Sequence, residues 1–413
     1  MKKALAILAL VLLLAPALFA NGESEAKGPT VVYWSMWSEG EPQAIVIEQA
    51  IEKFEDETGI NVQLEFKGRN GIREGLEPAL EAGQNIDLFD EAIDRVSVTW
   101  GKYLANLEEL AADYIPDHAS KGLVAAGRSL HASGELHVIP YQGTTWGWWY
   151  NKDLFAKAGI TSTPTTWAEF EAVCEKLVKA GITPITMDDA YATANMGWHL
   201  SRYVGEAGVN ELVNNKDAWD NPLVIQAIEE FEEFATKGYF SKSIATNVFP
   251  GGQNTEFGMN EVALNANGAW LPNEIKGIVA PDFNWGYFAY PVVEGGVEPI
   301  TTNYLGCQAF AVNKNSQVKE EAVALAIAIA TGENDLAMSE SALTIPADLQ
   351  NTEWPKQLAE LRVAFNNTTV GSNWAAGLEN NPDLTPVIKD NTIKLMSGQI
   401  TAKQFLDTVK AGF

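Results

Sequence analysis

Cysteine, histidine and positive charge are scarce in this chain, and each scarcity removes a class of function. Two cysteines in 413 residues, Cys174 and Cys307, far apart and on different expected elements, give no disulfide framework, and two buried free thiols are expected rather than a bridge. The four histidines, His118, His131, His137 and His199, have no helical metal-ligand pairing, and neither H-E-x-x-H nor C-x-x-C occurs, so no metal site is expected. A G-x-x-x-x-G-K-[ST] phosphate loop, a G-x-G-x-x-G turn after a strand and a G-x-S-x-G elbow are all missing, so no cofactor is expected either. Lysine and arginine number 28 against 54 aspartates and glutamates, and the net charge of -26 would repel nucleic acid and anionic membranes.

Long apolar runs are also missing after residue 20, but one occurs before it. "MKK" is followed by "ALAILALVLLLAPALFA" and then by the small polar "NGESEAKG". This pattern predicts a signal peptide over residues 1–20 and a disordered tether over 21–28. Asn21 stands where a lipoprotein would carry cysteine, so a protein free of a lipid anchor, outside the cytoplasmic membrane, is expected.

The remaining length suits two or three domains, with 46% hydrophobic residues to fill their cores. Strand and helix patterns alternate. "TVVYWSMW", "INVQLEF" and "IDLFD" read as strands. Between the first two, "PQAIVIEQAIEKFEDETG" places Ile47, Ala50, Ile51 and Phe54 on one helical stripe, with Pro42 in the first turn and Gly59 at the end. The pattern restarts after "LHVIPYQGTTWGWWYNKDLF". Thr166 and Glu169 have capping-box spacing at the head of a helix, "TPITM" and "QAFAVN" are strand-like, and helices dominate from Gln317 onward. No internal repeat is present, and two α/β lobes are implied.

What the chain has in quantity is tryptophan, 13 in all, often beside polar or glycine-rich turns. A sugar ring exposes C–H faces and carries hydroxyls on its rim, so its site needs flat apolar plates with carboxylates, amides or guanidinium groups at their edges. Trp37 with Glu41, Trp146, Trp198, Trp270 and Trp374 fit that placement. Strand alternation assigns Trp34 to the core and leaves Trp37 at the handover to a loop; Trp148 and Trp149 point to opposite faces, and Trp167 is core. Asp87, Asp90, Glu91 and Asp94 crowd a strand end, where helix capping and hydroxyl binding are equally open readings.

"WYNKDLFAKAGI" with "TPTTWAEFEAVCEKLVKAGITPI", "AIEKFEDETGINV" and "NEVALNANGAW" resembles family 1 extracellular solute-binding proteins, the maltose-binding-protein-like group that serves ABC importers. The resemblance spans nearly the whole chain beyond the signal peptide. It implies an α/β fold of the periplasmic binding protein type II: two α/β lobes joined by a hinge of crossing segments, residues 29–140 plus about 295–342 in one and 141–294 plus about 343–413 in the other. It implies a monomeric, non-enzymatic binder of a carbohydrate ligand, working with ABC permease subunits. Its stacking tryptophan falls on Trp270 and its hydroxyl-gripping residues fall near Asp90 to Arg95, with Asp94 and Arg95 matching best. Trp37 and Glu41 fall on its first ligand loop, and Arg69, Trp198, Tyr304 and Trp374 at further ligand positions. The chain departs from maltose binders in having "ID" for "PD" and Glu91 in place of an aromatic. A secreted glycoside hydrolase with a carboxylate pair, or a binder of peptides or polyamines, are the competing readings.

Overall fold

The computed structural model describes residues 28–413, so the expected signal peptide and all of the expected tether but Gly28 lie outside the described residues. Eleven strands run in chain order: β1 (Thr30–Ser35), β2 (Asn61–Phe66), β3 (Leu88–Ala92), β4 (Ile139–Thr144), β5 (Trp146–Asn151), β6 (Thr183–Thr186), β7 (Val262–Gly268), β8 (Trp285–Phe288), β9 (Thr302–Tyr304), β10 (Gly306–Val312) and β11 (Val370–Ser372). They form a five-stranded sheet of order β2-β1-β3-β10-β4, a four-stranded sheet of order β6-β7-β5-β8, and a two-stranded β11-β9 sheet. In the first sheet β1 runs parallel to β2 and β3, while β10 is antiparallel to β3 and β4.

Helices pack against both large sheets, and the sequence dictates how they start and stop. Pro42 opens the helix Pro42–Thr58, where its missing N–H costs nothing, and Gly59 closes it in the left-handed conformation at φ 70°. The helix Trp167–Lys179 carries the expected reciprocal capping box between Thr166 and Glu169. Trp167, Phe170, Val173, Cys174 and Leu177 all turn inward on it.

Each large sheet has its own core. One contains Tyr33, Phe89, Trp100 and Phe310, the other Trp148, Phe170, Trp219 and Phe405. Cys307 lies in the first and Cys174 in the second, both buried and free.

The chain passes between the sheets three times: at Thr145, through the segment between β8 and β10, and between residues 343 and 358. The Thr145 hydroxyl donates to the Tyr304 carbonyl at 2.7 Å and so ties the first crossing to the second. Buried Arg202 grips the second crossing by donating to the carbonyls of Pro299 at 2.8 Å and Tyr290 at 2.9 Å. Among the described residues no helix is long and apolar enough to cross a membrane.

Candidate functional site

The second lobe presents a two-layered aromatic wall where the crossings meet. The back layer is buried: Trp146 opens β5, and Tyr191 and Trp198 sit at the head of the helix Ala192–Leu212. Trp146 is packed 4.8 Å from Tyr191 and 4.9 Å from Trp198, centroid to centroid. The front layer, Trp270, Tyr304 and Trp374, is half-buried. Trp374 lies 5.4 Å from Trp146, 5.5 Å from Trp198, 5.7 Å from Tyr304 and 6.4 Å from Trp270. Rings at these spacings attract one another beyond their burial, so the back layer holds the front layer in place. Phe249, more exposed, extends the wall from Tyr191 at 5.2 Å.

Backbone close approach fixes two of these rings. Gly197 lies so near the backbone of Ala375 that an added Cβ would sit 1.9 Å from that carbonyl oxygen. This contact seats the tight turn Trp374–Gly377, in which Ala375 and Ala376 are both left-handed. Gly268 faces the Trp270 indole, which would lie 2.3 Å from a Cβ there. Behind the wall, a cavity of about 10 Å³ between Trp146, Trp198, Arg202, Glu298 and Asn303 has room for one water, not for a sugar ring.

Below Trp270 lies a corner of acids and amides. Glu274 is one helical turn beyond Trp270, open to water, and accepts from the Asn254 amide at 2.9 Å. Asn254 in turn accepts from Asn265 and Asn267. Asp188 is fully buried; its Oδ1 accepts the N–H groups of Ala190 and Tyr191, and its Oδ2 has no protein partner. Burial pushes the Asp188 carboxyl up to about 7, against those two backbone bonds. Glu274 keeps an open edge, yet the protein packed around its carboxyl pushes it up to about 7; Asn254 opposes the rise, Asp188 adds to it, and the Arg69 charge of the first lobe lowers it from across the gap.

The first lobe faces this wall with matched charges. Arg69 donates to both Glu41 oxygens, at 2.8 and 3.2 Å, and its guanidinium lies over the Trp37 ring at 4.7 Å. Glu91 pairs with Arg73 at 2.6 Å and lies 3.8 Å from Arg95. Asp94 is exposed beside them, and after burial its charge is the next cause that holds the Tyr304 phenol protonated.

Of the residues expected from sequence, Trp270, Tyr304 and Trp374 come together as half-open rings, and Glu41, Arg69, Asp94 and Arg95 stand on the first lobe. Four expectations change. Trp37 is 3% exposed, donates its indole N–H to Tyr141 at 2.9 Å and is roofed by Arg69, which leaves no plate for a ligand. Asp90 is fully buried and accepts from Tyr33 at 2.9 Å, from the Met36 N–H at 3.2 Å and from the Tyr141 hydroxyl, so it ties the sheet together. Trp146 and Trp198, 2% and 5% exposed, support the wall and do not form its surface. Asp87 and Glu91 cap no helix: Asp87 accepts from the Val32 N–H and the Ser316 hydroxyl, and Glu91 holds arginines. Tyr191, Asp188 and Glu274 were not expected; only the i+4 spacing of Glu274 from Trp270 marked one of them.

A fold of two α/β lobes with three crossings and an aromatic wall between them defines a class, and comparison with known proteins gives the family. The chain belongs to the family described as bacterial extracellular solute-binding protein, whose profile matches residues 37–335. A binding protein of Brucella abortus strain 2308 is 24% identical over 196 residues, 46% of this chain and 45% of the relative; the chain thus matches under half the length of that curated relative. Among solved structures, a chitin oligosaccharide binding protein superposes with a TM-score of 0.72 at 18% identity, covering 93% of this chain and 98% of the other. A cyclic alpha-maltosyl-1,6-maltose binding protein from Arthrobacter globiformis superposes with 0.70 at 18% identity, covering 93% and 98%. At these identities the likeness establishes the fold.

Proposed function

We propose that this chain is the extracytoplasmic sugar-capturing component of an ABC importer. The observation that carries the reading is the half-open row Trp270, Tyr304 and Trp374, rigidly backed and bordered by carboxylates, amides and Arg69. Such rings match the C–H faces of pyranoses, and the polar rim matches their hydroxyls. Solved structures of the same fold include a chitin oligosaccharide binding protein, a cyclic alpha-maltosyl-1,6-maltose binding protein and a binding protein in complex with raffinose, which is consistent with this assignment.

In this reading the chain is secreted through its cleaved N-terminal segment and acts as a monomer without lipid. Its lobes hinge about the three crossings, with boundaries at Thr145, near residue 305 and near residue 343. Sugar held on the second lobe gains contacts from Glu41, Arg69, Asp94 and Arg95 only when the lobes close, so binding shifts the population toward the closed form that permease subunits recognise. No chemical step is assigned to it.

A thermal-shift screen over oligosaccharides, amino acids and polyamines tests this. A ligand at a hundred times its Kd stabilises by about 2.7 kcal/mol, and only sugars should do so. Stabilisation by amino acids alone would overturn the reading, as would product release from chromogenic glycosides.

A further inference from the structure

The two walls of the cleft differ in how they balance charge. On the first lobe, Glu41 is held by Arg69, and Glu91 by Arg73 and Arg95. On the second, four carboxylates gather around one corner: Asp188, Asp189, Glu256 and Glu274. Among the described residues none of these four forms an ion pair with lysine or arginine. Glu256 is satisfied by neutral donors, Thr186, Ser241 and Asn247, and Asp189 by the Phe249 N–H. Asp188 and Glu274 also have neutral donors, two backbone N–H groups on Asp188 Oδ1 and the Asn254 amide on Glu274, but each keeps acceptor capacity unused. Asp188 keeps a buried, unpartnered Oδ2, and Glu274 opens onto the cleft. Nearby Gln253 is also fully buried with neither side-chain polar atom partnered.

We propose that Glu274, with Asp188 behind it, forms an anionic subsite beside the Trp270 plate that selects sugars carrying a free amino group. This rests on the sugar-binding reading and adds the substrate class. A buried carboxylate without a counter-charge is costly, and a bound hydroxyl leaves that charge uncompensated. An ammonium group on the ring would donate to the open Glu274 carboxylate and set its charge against Asp188 behind it. Arg69 cannot serve instead, because it is engaged with Glu41 and Trp37 on the other wall and acts on Glu274 only at a distance. Trp270 and Glu274, one helical turn apart, place the apolar plate and the acceptor on the same side of one ring. The net charge of -26 would also draw a cationic sugar toward the cleft.

The central comparison varies only the substituent at C2. Glucosamine, N-acetylglucosamine and glucose, as monosaccharides and as β-1,4 tetramers, are titrated calorimetrically at pH 7, with maltotetraose and raffinose as neutral sugars of other linkage. The amino form should bind at least tenfold tighter than its acetylated counterpart. In Glu274→Gln that ratio should collapse to within about twofold. Equal or tighter binding of any neutral or acetylated sugar overturns the amino-sugar assignment and leaves the sugar-binding reading standing. Binding of no sugar in the panel or in the wider screen overturns both.

Discussion

The Trp270 indole N–H donates to the Tyr191 hydroxyl at 3.1 Å, so the ring on which the family resemblance places its stacking tryptophan is held by a tyrosine that the sequence reading did not name. Tyr191 is itself fixed through its backbone N–H to Asp188. If the wall binds sugar, Trp270→Ala should weaken affinity by at least tenfold with little change in melting temperature, because that ring is half-exposed. Tyr191→Phe keeps the ring and deletes the hydroxyl, and should cost less, about threefold to tenfold. Calorimetric titration of both variants with whichever sugar stabilises the wild type checks the order; equal affinity of Trp270→Ala and wild type would remove the wall from the site.

Asp90 gives the opposite expectation. Its carboxyl accepts from two buried tyrosines and one backbone N–H inside the first lobe. Asp90→Ala leaves those donors without acceptors, each costing about 1–3 kcal/mol, offset by relief of the carboxyl's own burial. A net loss of about 2–4 kcal/mol is expected in urea unfolding, with the affinity of the folded fraction unchanged. A loss of affinity at unaltered stability would return Asp90 to the ligand.

The contrast between Asp90 and Trp270 shows what was legible in the sequence. Helix ends were readable at Pro42, Gly59 and Thr166 because caps act over four residues. The separation of plate from core at Trp34 and Trp37 was not. Alternation assigns one strand face to the core only when the other meets solvent, and β1 is covered on both faces, with Val31 to Ser35 all buried. β3 begins at Leu88, two residues after the apolar start of "IDLFD", and β4 runs through the apparently polar "YQGT", where Ile345 of the third crossing lies against Gly143. Short strands β8, β9 and β11 carry too few residues for any periodicity. The tryptophans at 146, 198, 270 and 374 could be suspected one by one. Their assembly into two layers depends on contacts between segments more than 50 residues apart, which no local pattern encodes.

Gly197 tests whether that assembly matters. Its missing side chain allows the helix Ala192–Leu212 to lie against the left-handed Ala375 and Ala376, and this contact positions Trp374. Gly197→Ala forces the turn outward. Overpacking of this kind costs about 1–3 kcal/mol, and the displaced Trp374 should lower affinity by fivefold or more even where the protein remains folded at the assay temperature. Retained affinity would mean that Trp374 lies outside the binding surface.

Titration gives the last expectation. Asp90 and Asp335 are pushed up to about 6, and Asp188 to about 7, in each case chiefly by burial. Raised carboxyls bind protons more tightly in the native chain than in the unfolded one. Their contribution is therefore complete below the unfolded values near about 4 and is lost as pH rises through about 6 to 7. Paired acids work the other way: Glu108, held by Arg128 down to about 2, and Glu169, lowered by the capping bonds of Thr165 and Thr166, add stability that fades only as pH falls below about 4. The ligand-free protein should then melt highest near about pH 5 and lower at pH 8, with mutual repulsion among its many carboxylates acting in the same direction. Asp188→Asn should flatten the slope between about pH 4 and 7, and Asp335→Asn between about pH 4 and 6. Calorimetric scans at constant ionic strength would sink this account if the melting temperature rose steadily from pH 5 to 8.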